Sequence, residues 1–117
     1  MAAQTVSSSS CYTWIGIMAQ AGAAAPTVTV VRNDFNETFT FARTGAGVYT
    51  ITSPGSKFTA NKTVCWFMNG VVPNGVLEAN PRAASTAIID LHAHDLVTNL
   101  HADGVITACS VRIEVYL

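Results

Sequence analysis

Thr27-Val-Thr-Val-Val-Arg32, Glu37-Thr-Phe-Thr-Phe-Ala-Arg43 and Val48-Tyr-Thr-Ile-Thr52 decide the fold class of this chain. Each run alternates β-branched or aromatic residues with threonine, the period of a pleated strand with one face buried. Asn33-Asp-Phe-Asn36 separates the first two runs and Thr44-Gly-Ala-Gly47 the last two, both rich in residues that turn a chain. The three runs predict a meander of neighbouring strands, with a hairpin at each turn.

Reading outward, Cys11-Tyr-Thr-Trp-Ile-Gly-Ile-Met-Ala19 is a mixed apolar and aromatic strand. The Ala-rich segment 21–25 after it is a loop, because Gly22 interrupts any helix and Pro26 ends it. Lys62-Thr-Val-Cys-Trp-Phe-Met68 is continuously apolar after Thr63, as expected of a strand buried on both faces or lying at a subunit contact. Pro73, Gly75 and Pro81 limit the next region to a short edge piece over 76–79. Residues 84–91 and 96–100 read as strands and Asp103-Gly104 as a turn. The closing run Ala108-Cys-Ser-Val-Arg-Ile-Glu-Val-Tyr-Leu117 alternates with Val111, Ile113 and Val115 on one face. About eight short strands without a helical period predict an all-β chain, a single compact β-sandwich or jelly roll over 11–117. Residues 1–10, small and polar without a period, read as a flexible N-terminal arm.

Half of the 117 residues are hydrophobic and 11% are charged, where a soluble domain usually has about a quarter. A chain of this length cannot bury so much apolar area within itself, so self-association is the expected remedy. No stretch approaches the roughly 20 apolar residues of a spanning helix, and no membrane partner is expected. The first ten residues lack the basic start and apolar run of a secretory signal, which makes synthesis in a cytoplasm without export the expectation. Asn36-Glu-Thr38 and Asn61-Lys-Thr63, which match the glycosylation sequon, are accordingly read as turn residues. A formal net charge of −1 provides no electrostatic footprint for nucleic acid. Cys11, Cys65 and Cys109 are far apart and in strand-like contexts, and read as free thiols acting as small hydrophobes.

The most chemical stretch is Asp90-Leu-His-Ala-His-Asp95, followed by His101 and Asp103. On a strand His92 and His94 share a face with Asp90, and two imidazoles side by side can ligate a transition metal. A hydrolase would need further ligands and a general base, for which the rest of the chain offers only Asp34, Glu37, Glu78 and Glu114. There is no Gly-x-Ser-x-Gly elbow and no cysteine with a basic neighbour, so no catalytic residue is assigned and the chain is not expected to be an enzyme. Tyr12, Trp14, Trp66, Phe67 and Tyr116 could stack on sugars, or fill a core or an interface.

In the order and spacing of Ala25-Pro-Thr-Val-Thr-Val30, Gly45-Ala-Gly-Val-Tyr-Thr-Ile51, Lys57-Phe-Thr-Ala-Asn-Lys-Thr-Val64, Ala102-Asp-Gly104 and Val111-Arg-Ile-Glu-Val-Tyr116, the chain resembles small virion proteins of tailed bacteriophages. The resemblance implies a β-rich subunit, usually homotrimeric, that decorates a capsid as a head fibre or auxiliary protein or belongs to the tail. It carries no catalytic residues, and the histidines from His92 to His101 are not part of its pattern. In such a trimer, His92 and His94 of every chain would surround the axis and form an octahedral metal site.

The leading expectation is therefore a virion structural protein that acts by assembly with itself and other virion proteins. Val64, Trp66, Phe67 and Met68 are the candidate oligomer interface, and His92 and His94 a possible transition-metal site. The alternative is a carbohydrate- or receptor-binding sandwich with exposed Trp14 or Trp66. The third is a metal-dependent cupin-like enzyme, with the three histidines and a carboxylate converging inside a barrel.

Overall fold

The computed structural model describes residues 11–68, 75–81 and 86–116. The eight strands are β1 (Cys11–Ala19), β2 (Thr27–Asn33), β3 (Thr40–Gly45), β4 (Val48–Thr52), β5 (Thr63–Met68), β6 (Gly75–Pro81), β7 (Ile88–Asp95) and β8 (Thr107–Tyr116). They form two antiparallel four-stranded sheets, ordered β2-β1-β8-β5 and β3-β4-β7-β6. Of the two expected architectures, the β-sandwich is the one found. The expected N-terminal arm, residues 1–10, lies outside the described residues.

Between the sheets β1, β4, β7 and β8 place their alternate residues inward. Trp14 and Met18 from β1, Tyr49 and Ile51 from β4, Ile89, Leu91 and Ala93 from β7, and Val111, Ile113 and Val115 from β8 are buried in one cluster. The alternation read in β8 is thus the core side of its sheet. Gly16 is a packing requirement, because a Cβ there would stand 2.5 Å from the Trp14 ring. At one end Trp14, Phe39, Phe58 and Phe35 meet ring to ring at centroid distances of 5.1–5.6 Å, an aromatic cluster that adds directional contacts to burial.

The first two runs do not form the expected hairpin. β2 pairs with β1 in the first sheet, whereas β3 pairs with β4 in the second. The reason lies in the connection. Asn33 accepts a hydrogen bond from the Phe35 amide at 2.9 Å and donates to the Glu37 carbonyl at 2.7 Å. This tight turn drives Phe35 into the core, and the chain crosses from one sheet to the other.

Residues 96–100 are a turn and not a strand. Asp95 Oδ1 accepts from the amides of Val97 and Thr98 at 2.8 and 3.0 Å, and Asn99 takes a positive φ of 56°. An aspartate that captures the next amides withdraws them from any sheet ladder. The hydrophobic side chains of this turn, Leu96, Val97 and Leu100, remain exposed. Of the two expectations for β5, burial on both faces is not met. β5 is a single-sided strand, with Thr63, Cys65 and Phe67 half-buried and Val64, Trp66 and Met68 exposed. The short edge piece expected over 76–79 is found within β6, at the edge of the second sheet.

Candidate functional site

The outward face of the first sheet is built by register. Ile15 on β1, Arg112 on β8 and Trp66 on β5 form one row across the sheet, with Ile17, Ser110 and Met68 in the next. A groove of about 250 Å³ runs over these rows, lined by Ile15, Trp66, Phe67, Met68, Ser110 and Arg112. The Arg112 guanidinium is turned along its own strand, donating to Glu114 Oε2 at 3.0 and 2.8 Å, while the Tyr116 hydroxyl donates to Glu114 Oε1 at 2.7 Å. These bonds, Tyr116 first, hold the Glu114 carboxyl below its usual range. With the head group engaged, the groove is left to the Arg112 stem and its apolar neighbours. Trp66 is 45% and Met68 69% exposed.

Four strands lie at sheet edges, and an edge is a template for another chain unless something blocks it. β2 carries Arg32 and a register shift against β1 between Ile15 and Gly16. β3 carries Arg43 and a shift between Arg43 and Gly45. β6 carries Glu78 and ends in Pro81. β5, Thr-Val-Cys-Trp-Phe-Met, has no charge, no proline and no shift against β8, its single partner strand among the described residues.

Of the predicted interface residues, Val64, Trp66 and Met68 therefore share the outward face, while Phe67 is directed inward and packs against the core. Two of the five aromatic residues read as a possible platform, Trp14 and Phe67, are directed to the core. Trp14 is a core residue at 1% exposure, and Tyr12, Trp66 and Tyr116 stand on three different strands. The three cysteines are free thiols, and burial pushes the Cys65 thiol up to about 12.

His92 and His94 occupy the same, outward face of β7, as the spacing predicts, because Leu91 and Ala93, which alternate with them, are buried. The turn after β7 then brings His101 back against them. His94 and His101 form an isolated antiparallel bridge, with ring centroids 4.5 Å apart, and His101 stands 4.9 Å from His92. Every histidine of the chain is in this cluster. Glu78 on β6, opposite His92 in register, brings its Oε1 to 2.9 Å from His94 Nε2. The histidines and a carboxylate do gather, as a cupin-like site would require, but outside the sandwich, whose interior is filled by the apolar core. Among the described residues no group of three His, Cys, Asp or Glu side chains is arranged to hold a metal ion.

Asp103, two residues beyond His101, does the opposite kind of work. Its carboxylate accepts from Arg43 Nη2 at 2.7 Å, from the Tyr49 hydroxyl at 2.9 Å, from Gln20 Nε2 at 3.0 Å and from the Gly47 amide at 3.1 Å. Arg43 above all keeps its carboxyl far below the usual range, and burial together with Asp103 raises the Tyr49 phenol. This hub ties the residue that follows β1, strands β3 and β4, the turn between them and the segment before β8 together. Asp103-Gly104 reads in the sequence only as a turn, since its partners are 54 to 83 positions away.

Compared with protein-family models, curated proteins and solved structures, the chain matches none of them.

Proposed function

We propose that this chain is a structural subunit that works by self-assembly, with copies joining along the β5 edge and the apolar outward face beside it. The observation that carries the reading is that, among the described residues, β5 alone of the four edge strands has neither charge, proline nor register shift, while its side chains Val64, Trp66 and Met68 stand exposed. Burying the exposed part of such side chains stabilises an assembly by about 1 kcal/mol each before the entropic costs of association. Strand addition at the same edge would satisfy backbone groups as well.

The resemblance of the sequence to small virion proteins of tailed bacteriophages supports reading this assembly as part of a virion, a homotrimer acting as capsid decoration, head fibre or tail component. The solution mass measured by light scattering tests the reading. Assembly into a trimer or another closed oligomer is expected, and Trp66→Lys with Met68→Lys should weaken association at least tenfold while leaving the fold intact. A wild-type monomer at all concentrations, or an oligomer indifferent to both lysines, defeats it. Finding the chain among the proteins of purified phage particles tests its placement in the virion.

One observation favours the alternative, a carbohydrate- or receptor-binding module. A pocket of about 280 Å³ at the end of the sandwich is lined by Tyr12, Asp34, Phe35, Asn36, Lys57, Thr59 and Val115. An aromatic face with polar groups around it suits a sugar ring. Binding to a glycan array that is lost in Tyr12→Ala supports this second reading, and an empty array removes it.

A further inference from the structure

His94 presents an electronic puzzle. Its Nε2 is 2.9 Å from Glu78 Oε1, and in the neutral ring a proton on that nitrogen faces the carboxylate. Nδ1 then carries a lone pair. It is buried and has no hydrogen-bond partner, the single such side-chain atom among the described residues. A buried polar atom left unpaired costs on the order of 1–3 kcal/mol, and a bound ion is one of the few things that relieves it.

The same arrangement is the state in which an imidazole is the best ligand. A histidine that donates one ring N–H to a carboxylate has its tautomer and orientation set, and its other nitrogen becomes more basic toward a metal. Two more imidazoles are at hand, His101 at 4.5 Å from His94 and His92 at 4.9 Å from His101, measured between ring centroids. We propose that His94 Nδ1, His101 and His92 form a binding site for a divalent transition-metal ion, with Glu78 as the positioning residue of His94.

As they stand, His94 and His101 pack edge to face and His92 is tilted at 48° to His101, and no group of three donors among the described residues is already arranged around an ion. His101 is the part that can change. It is exposed, it follows the turn 96–100, and its ring lies against both of the others. Turning that ring about its side-chain torsions uncovers Nδ1 and brings a second nitrogen to the ion, with water completing the shell. Imidazole donors select zinc, nickel or copper over magnesium and calcium. The inference does not depend on self-assembly, since all four residues belong to one chain.

The test is a titration of untagged, reduced protein with Zn²⁺ by calorimetry, repeated with Co²⁺ by absorption spectroscopy. One ion per chain is expected, with cobalt bands of nitrogen and oxygen ligation. His101→Ala, on an exposed turn, and His94→Phe, which keeps the ring volume, should each weaken binding at least tenfold. Glu78→Gln should weaken it about tenfold to a hundredfold through loss of orientation alone. Circular dichroism of each variant confirms the fold. Absence of binding by the wild type, binding unchanged in His94→Phe or His101→Ala, or a thiolate-to-cobalt charge-transfer band, which would place the ion at a cysteine, overturns the proposal.

Discussion

Two polar clusters meet the same short segment of chain, and they differ in one respect. His101 closes the histidine cluster, where a buried nitrogen of His94 has no partner. Asp103 closes a hub in which the carboxylate accepts from a guanidinium, a hydroxyl, a side-chain amide and a backbone amide. A saturated buried network rigidifies a fold, while an unsaturated one either costs stability or awaits a ligand. The first cluster is therefore the one to examine for binding and the second for stability.

The largest effect that should separate them is the removal of the hub. Asp103→Ala leaves Arg43 and the Gly47 amide without their acceptor, and a loss of about 3 kcal/mol in denaturant unfolding is expected, the upper part of the range for hydrogen bonds to charged groups. A loss below about 1 kcal/mol would show that solvent replaces the hub and would erase the contrast.

Acid should reveal the same carboxylate. The Asp103 pKa is lower in the fold than in the unfolded chain, so its contribution is complete above the unfolded value near 4 and is lost as the pH falls toward the folded one. The melting temperature should decline steadily below about pH 4. Asp103→Asn should flatten that decline, although Asp34 and Glu114, also lowered by their arginine and tyrosine partners, will leave part of it. An unchanged pH profile in the variant would assign the acid sensitivity elsewhere.

Tyr49→Phe is a finer probe, because it removes only the hydroxyl that lies 2.7 Å from Gln20 Oε1 and 2.9 Å from Asp103 Oδ1. A cost of about 1 kcal/mol is expected for one hydrogen bond in a buried network. His94→Phe should do least of all. It gives up the bond to a half-exposed Glu78 but also removes the unpaired nitrogen, so stability without metal should stay within about 0.5 kcal/mol of the wild type. A large loss there would mean that the histidine cluster is a structural pin like its neighbour.

The sequence was legible where a pattern is local. The threonine and aromatic alternation of β4, the shared face of His92 and His94, and the buried row Val111, Ile113 and Val115 all follow from the period of a strand and are found. Errors fell where a side chain captures its own backbone. Asn33 turned an expected hairpin into a crossing between sheets, and Asp95 turned an expected strand over 96–100 into a loop. Both are turn-forming residues visible in the chain. Their neighbours Phe35, Leu96, Val97 and Leu100 are apolar enough to have favoured a strand reading. For β5 an unbroken apolar run predicts burial on both faces or a subunit contact, and composition does not distinguish an inner strand from an edge strand, which β5 is among the described residues.

By itself, then, the sequence determined that this chain is all-β, that it carries more apolar area than charge can cover, and that two histidines share a face. Those properties depend on residues within a strand's length of one another. Only the tertiary structure decided that β5 lies at an edge, that His101 joins His94, and that Asp103 meets Gln20, Arg43 and Tyr49. Each of these depends on which strands become neighbours. That choice is made by packing two sheets around one core, and it leaves no local pattern to read.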